Sequence, residues 1–344
     1  MNVTQGAIDG FIYAFSIYTI LGGILMCANI PLVIVILFHK ILRTQKEFVI
    51  IGGLAFADAL QGTALFLSGA GRIIAINDNT AFILTTRWSC FVKIWNLVYY
   101  FSMPMSSSML TIVSIDRLYA VFYPLRYFAL TSRYAVRMVF TLYALVTTGV
   151  IINAILSYSS SGELLYPTYC FTKHGEHPLF FQYYDIIVRT AMPFISVLLY
   201  IVVWARLRKN FSVVARGEQG LAHKMKQMRR ITVTLALCCV CTFFLNSLPL
   251  FYGYFFVKLG APTWATLDQD IFITNNVNPV LNVFIYLYRQ REIRGGFKML
   301  FMGKQLNPNA NAISPKNQLG KRNVMNGKNI DVSHQRSVTV TATA

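Results

Sequence analysis

The side chains with chemistry to offer are charged and amide groups set in apolar surroundings. Asp58 ends the run Leu54-Ala55-Phe56-Ala57-Asp58, Asp116 and Arg117 are adjacent, and Asp185 and Arg189 are four apart. Between 264 and 288, Asp268, Asp270, Asn275, Asn276, Asn278 and Asn282 interrupt an otherwise apolar stretch. Four-residue spacing puts Asp185 and Arg189 on one helical face. There they either pair with each other or recognise a zwitterion, an acid or a peptide terminus. Hydrolytic chemistry is disfavoured, because Ser106, Ser107 and Ser108 have no base at their depth. All five histidines (His39, His174, His177, His223, His334) fall in loops, flanks or the tail. No enzyme is expected. A Schiff-base chromophore is excluded as well, since 264–288 contains no lysine.

Composition says what must position these groups. Of 344 residues, 55% are hydrophobic and only 13% charged, against roughly 25% charged in ordinary globular domains. Such a chain needs lipid as part of its solvent. A net charge of +18 could suggest nucleic acid, but its distribution suggests a membrane orientation instead, and no nucleic-acid partner is expected. Cys238, Cys239 and Cys241 share one apolar run and read as packing residues.

Crossing about 30 Å of hydrocarbon takes about 20 mostly apolar residues in a helix. Such stretches occur near 11–38, 48–74, 91–119, 136–158, 180–205, 230–257 and 264–288. The fold class is therefore an all-α membrane protein, a bundle of seven transmembrane helices. The seventh stretch is too polar to face lipid, which points to an interior site. Twenty-five of the 31 Lys and Arg residues flank one side of these stretches and six the other. The positive-inside rule then puts the N-terminus outside and the tail in the cytoplasm of a multi-pass plasma-membrane protein. Residues 1–10 form a short outer segment with a glycosylation sequon at Asn2, and no cleavable signal peptide is evident. The stretch 303–344 is rich in Asn, Lys, Ser and Thr and reads as a disordered cytoplasmic tail. Ser337, Thr339, Thr341 and Thr343 are either phosphate acceptors there or ordinary polar residues.

Local motifs narrow the function. Asp116-Arg117-Leu118-Tyr119-Ala120-Val121, followed by Pro124-Leu125-Arg126-Tyr127, resembles the DRY-x-A-[IV]-x-x-P-L-x-Y stretch of rhodopsin-like (class A) G-protein-coupled receptors. Asn29 and the Leu54–Asp58 run are similar to that family's Asn and LAxAD, and the resemblance covers about 20 to 300. It implies that Asp116 holds Arg117 at rest and that the freed guanidinium later caps carbonyls of an inserted G-protein helix. It also implies a polar pocket around Asp58 that holds Na⁺ or water, with Asn29, Ser106, Asn278 and Asn282 as partners. A mid-membrane carboxylate is costly and marks function by default. A Cys90–Cys170 disulfide is implied too, although Cys90 lies 27 residues before Arg117, about two more than usual.

In span seven, the family's NPxxY corresponds either to Asn278-Pro279 or to Asn282-Val283-Phe284-Ile285-Tyr286. The second is preferred. It places Ile293, Arg294 and Phe297 where the family's amphipathic eighth helix, here 289–302, has its apolar–Arg–x–x–Phe pattern. Span six has Asn246-Ser247-Leu248-Pro249 where most members have Cys-Trp-x-Pro, so the kink at Pro249 remains without the tryptophan. Arg229 and Arg230 stand where many members place an acid that locks the DRY arginine. These departures resemble the nematode serpentine chemoreceptors, class sx.

Tyr99 occupies the place of the amine-binding Asp in span three, so a biogenic amine bound in the usual way is not expected. Ligand candidates are Tyr99, Tyr100, Met103, Asp185, Arg189, Tyr252, Asp268 and Asp270. The implied partners are a small-molecule or peptide ligand, a heterotrimeric G protein, the bilayer, and arrestin and kinases at the tail. No cofactor is implied beyond Na⁺ as an allosteric ion. The alternative is a seven-span ligand-gated channel or transporter, which repeated halves or broken helices would favour. The sequence shows neither.

Overall fold

A computed structural model describes residues 5–180, 183–184, 186–214, 219–249, 251–252 and 264–302. The first three long helices are span one (Gln5–Phe38), span two (Lys46–Asn77) and span three (Ile94–Phe122); span four (Ser132–Ser159) and span five (Ile186–Val214) follow. Span six (Gln219–Thr242) continues into a π-turn, Phe243–Ser247, and span seven (Trp264–Arg289) leads into a short helix, Arg291–Met302. Spans one, two, four, five and six contain stretches apolar enough to cross a bilayer by themselves. Spans three and seven are more polar. Span three is buried on most of its circumference, with Asn96, Ser102, Ser107, Ser114, Asp116 and Arg117 all inside. Large apolar side chains such as Ile20, Phe140, Ile155, Ile201 and Phe284 are exposed. An apolar exposed surface around a bundle that buries polar and charged groups suits lipid.

Spans one and two pack tightly because glycine lets their backbones meet. A Cβ on Gly22 would collide with the Phe66 backbone, and one on Gly62 would lie 2.7 Å from Leu25 Cβ. Below them, toward Arg117, one apolar core joins spans one to three and five to seven through residues such as Leu32, Leu54, Met109, Val203, Leu235 and Val283.

Several boundaries differ from the sequence reading. Span one starts at Gln5, within the expected outer segment 1–10, and the Gln5 amide donates to Asp9 Oδ1 at 3.2 Å one turn on. Span three starts at Ile94 rather than near 91, because Arg87–Phe91 forms its own short helix. Thr86 caps that helix by accepting from Ser89 N–H at 3.2 Å. Cys90 therefore sits on a separate turn, which accounts for the two extra residues between it and Arg117. The final helix starts at Arg291 rather than 289. In span six the expected Pro249 kink is preceded by the π-turn, in which Leu248 N–H reaches back five residues to Phe243 O. Proline cannot donate a backbone hydrogen bond, and a π-turn is one way to absorb the mismatch.

The loops on the side away from Arg117 are tied down. β1 (Leu84–Thr85) pairs antiparallel with β2 (Tyr166–Pro167), and a disulfide joins Cys90 to Cys170 with their Cα atoms 5.2 Å apart. Buried Arg72 of span two donates to the carbonyls of Tyr169 and Cys170, each at 2.9 Å. His174 accepts from Phe171 N–H through Nδ1 at 3.3 Å and stacks on Tyr166.

Candidate functional site

Among the described residues, the expected site groups fall in a mid-bundle constellation and a second one near Arg117. At mid-bundle, Asp58 is 1% exposed. Its Oδ1 accepts a 2.5 Å hydrogen bond from Ser106 of span three. Ser106 also lines a cavity of about 10 Å³ together with Gln61, Asn275, Asn278 and Asn282. That is close to the least volume that holds one water. Gln61 Nε2 donates to Asn276 Oδ1 at 2.8 Å, joining spans two and seven.

The other expected Asp58 partners are placed differently. Asn278 does not reach Asp58; its amide donates to Thr242 of span six at 2.9 Å. Asn29 donates to Leu25 O of its own helix at 3.2 Å. The Oδ1 atoms of Asn246, Asn275, Asn278 and Asn282 are buried with no hydrogen-bond partner among the described residues. An unpaired buried carbonyl is costly, so water or a cation is the natural complement. Hydroxyl and amide oxygens line the cavity, and Asp58 stands behind Ser106, an oxygen-rich set of the kind hard cations prefer. The residues present fit Na⁺, with Asp58 reached through Ser106.

The second constellation lies at the C-terminal end of span three. Arg117 is 1% exposed and pairs with Asp116, with its Nε 3.0 Å from Asp116 Oδ2. It also donates to the Tyr127 hydroxyl at 2.5 Å. That hydroxyl lies 3.2 Å from both Glu47 Oε1 and Asp116 Oδ2, and can donate to either. Burial pushes the Tyr127 hydroxyl far above its ordinary titration range, so it stays a neutral donor. Lys46 closes the network from below. Its ammonium donates to the carbonyls of Tyr127 and Leu130, the latter at 3.1 Å, and sits 3.8 Å from the centre of the Tyr127 ring. It thus caps the C-terminus of the short helix Pro124–Ala129. Arg117 Nη1 is left buried without a hydrogen-bond partner among the described residues.

The foot of span six is held elsewhere. Arg230 donates to both Glu292 carboxylate oxygens, at 2.6 and 2.5 Å. Arg289 and Gln290 donate to Thr234 at 3.1 and 3.0 Å. Tyr286 is buried beside this junction, in the same core as Cys238 and Cys239. Pro249 follows the π-turn and is half-buried.

Of the ligand candidates, Tyr99 and Met103 pack with Ala64. Tyr100 stacks on Phe91 and donates to Thr172 O at 2.8 Å, which makes it a loop anchor. Arg189 is half-buried and Tyr252 exposed. Asp185, Asn2 and the tail 303–344 lie outside the described residues, as do the side chains of Asp268 and Asp270.

Lys46, Glu47, Gln61, Arg72, Thr242 and Glu292 were not singled out by sequence reasoning as site residues. Arg72 and Gln61 carried a signal, being polar groups within an apolar run. Lys46 and Glu47 looked like ordinary loop charges.

The family model described as 7 transmembrane receptor (rhodopsin family) matches residues 28–286. No curated protein matches the chain.

Proposed function

Given that the chain belongs to the rhodopsin family of seven-transmembrane receptors, we propose that it is a chemosensory receptor for a small molecule or peptide that signals through a heterotrimeric G protein. The observation that carries this reading is the buried Asp116–Arg117–Tyr127 network, a charged group held ready at the bundle's inner end. The charge asymmetry supports an outer N-terminus and a cytoplasmic Arg117 end. Ligand binding at the outer half shifts spans six and seven, where Pro249 and the π-turn give span six a bend. Parting of the Arg230–Glu292 contact lets span six move, and Arg117 leaves Asp116 for carbonyls of the G protein. Tyr286 turns within the space that opens. Na⁺ or water in the Asp58–Ser106 pocket stabilises the resting arrangement, and phosphorylation of the tail recruits arrestin.

The resemblance to nematode serpentine chemoreceptors supports the chemosensory role, and Tyr99 in place of an amine-binding acid directs it away from biogenic amines. Tyr99, Met103, Arg189 and Tyr252 are the ligand contacts to examine first, followed by Asp185, Asp268 and Asp270. The test is a G-protein activation assay in cells, run across a panel of small odorants and peptides. Wild type and Arg117→Ala are compared at matched surface expression. A ligand-evoked signal that Arg117→Ala abolishes supports the reading. A ligand-gated current or substrate uptake without G-protein signal overturns it.

A further inference from the structure

We propose that the outer face of spans three and four, at the Arg117 end, holds an anionic phospholipid, with its phosphate on Arg133 and Arg137 and one acyl chain along Ile112, Met138 and Leu145. An open cleft of about 290 Å³ runs along this face, with Tyr134 and Arg137 at one end and Leu145 at the other. Arg133 and Arg137 are one turn apart on the same helical face. Both are exposed, and neither has a salt bridge or hydrogen bond among the described residues, unlike the paired Arg117 and Arg230. Arg137 lines the end of this apolar cleft and Arg133 lies one helical turn before it; two exposed guanidinium groups beside an apolar channel call for one occupant that is anionic at one end and hydrocarbon at the other.

The dimensions agree. Tyr134 to Leu145 spans eleven residues, about 16 Å along a helix, which is close to half of a hydrocarbon core roughly 30 Å thick. The cleft therefore reaches as deep as one leaflet's acyl chains. A soluble phosphate would leave the apolar floor bare, and a neutral lipid would leave the two arginines without a counter-charge. The inference rests on the orientation proposed above, which turns this end toward the cytoplasmic leaflet, where anionic lipids concentrate. Lipid retention is measured without any signalling, so its failure is distinguishable from failure of G-protein coupling.

The test is native mass spectrometry of the full chain purified in detergent, titrated with phosphatidylserine, phosphatidylcholine or glycerophosphoserine, the last carrying the headgroup without acyl chains. Wild type is expected to retain one phosphatidylserine, with phosphatidylcholine roughly tenfold weaker and glycerophosphoserine not retained. The double variant Arg133→Gln/Arg137→Gln should lose roughly tenfold or more in phosphatidylserine retention. Leu145→Trp, which fills the deep end of the cleft, should weaken both lipids. All three positions are exposed, so folding is not at stake. Equal retention of the two lipids by wild type, no change in the double variant, or capture of glycerophosphoserine alone would each overturn the proposal.

Discussion

Arg230 at the foot of span six and Glu292 at the start of the last helix meet through both carboxylate oxygens, at 2.6 and 2.5 Å. The contact joins two elements that the proposed activation separates. Among the described residues Arg117 makes no such link to span six; its hydrogen-bond partners there are Asp116 and Tyr127. In the proposed mechanism the restraint on span six therefore lies one layer away from Arg117.

Glu292→Gln should accordingly raise ligand-free signalling. Both side chains are 31% exposed, so the pair is worth about 0.2–1 kcal/mol, and the basal signal should rise by up to about fivefold. Basal G-protein activation at matched surface expression measures this. An unchanged or lower basal signal would show that the pair does not restrain span six.

Asp58 and its neighbours predict dependence on the monovalent cation. With Na⁺ replaced by choline, ligand-free activity of wild type should rise a few-fold, because an ion bound only in the resting arrangement favours it by mass action. Asp58→Asn should give the same activity in both salts. A wild type indifferent to Na⁺ would leave water as the occupant of the Asp58–Ser106 pocket.

His174 predicts a pH dependence of stability. Burial, with help from Lys173 and Arg72, lowers its pKa from 6.5 to about 4. The neutral ring is what accepts the Phe171 N–H. Below pH 6.5 the unfolded chain takes up a proton that the folded protein refuses, so stability falls with pH from 6.5 down to about 4. It is fully present above that window. Thermal denaturation across this range should show the slope in wild type and a flatter profile in His174→Gln. Equal slopes in both would remove His174 from the account.

The sequence revealed the bundle because each apolar stretch is long, whereas Ser106 was named as a partner of Asp58 through the family resemblance, since composition does not tell it apart from Ser107 and Ser108 beside it. Asn278 lines the expected cavity but donates to Thr242 rather than to Asp58. Successive helical residues differ by about 100° in direction, so the rotation of span seven against its neighbours decides which group Asn278 meets, and spacing alone does not encode that rotation. Lys46 and Glu47 were hidden differently. They meet Tyr127 across 81 and 80 residues of sequence, and a loop charge that turns inward has the same local signature as one that does not. Arg230 looked like a missing lock because its partner Glu292 lies on another element, 62 residues away.

In the proposed mechanism Arg117, held by Asp116 at rest, drives G-protein activation. The most direct test is nucleotide exchange on a purified heterotrimeric G protein catalysed by the purified receptor, comparing wild type, Asp116→Asn and Arg117→Ala. Asp116→Asn removes the charge that retains the guanidinium, so ligand-free exchange should rise several-fold. Arg117→Ala should reduce exchange to the receptor-free rate. An Arg117→Ala receptor that exchanges nucleotide as wild type does would contradict the account.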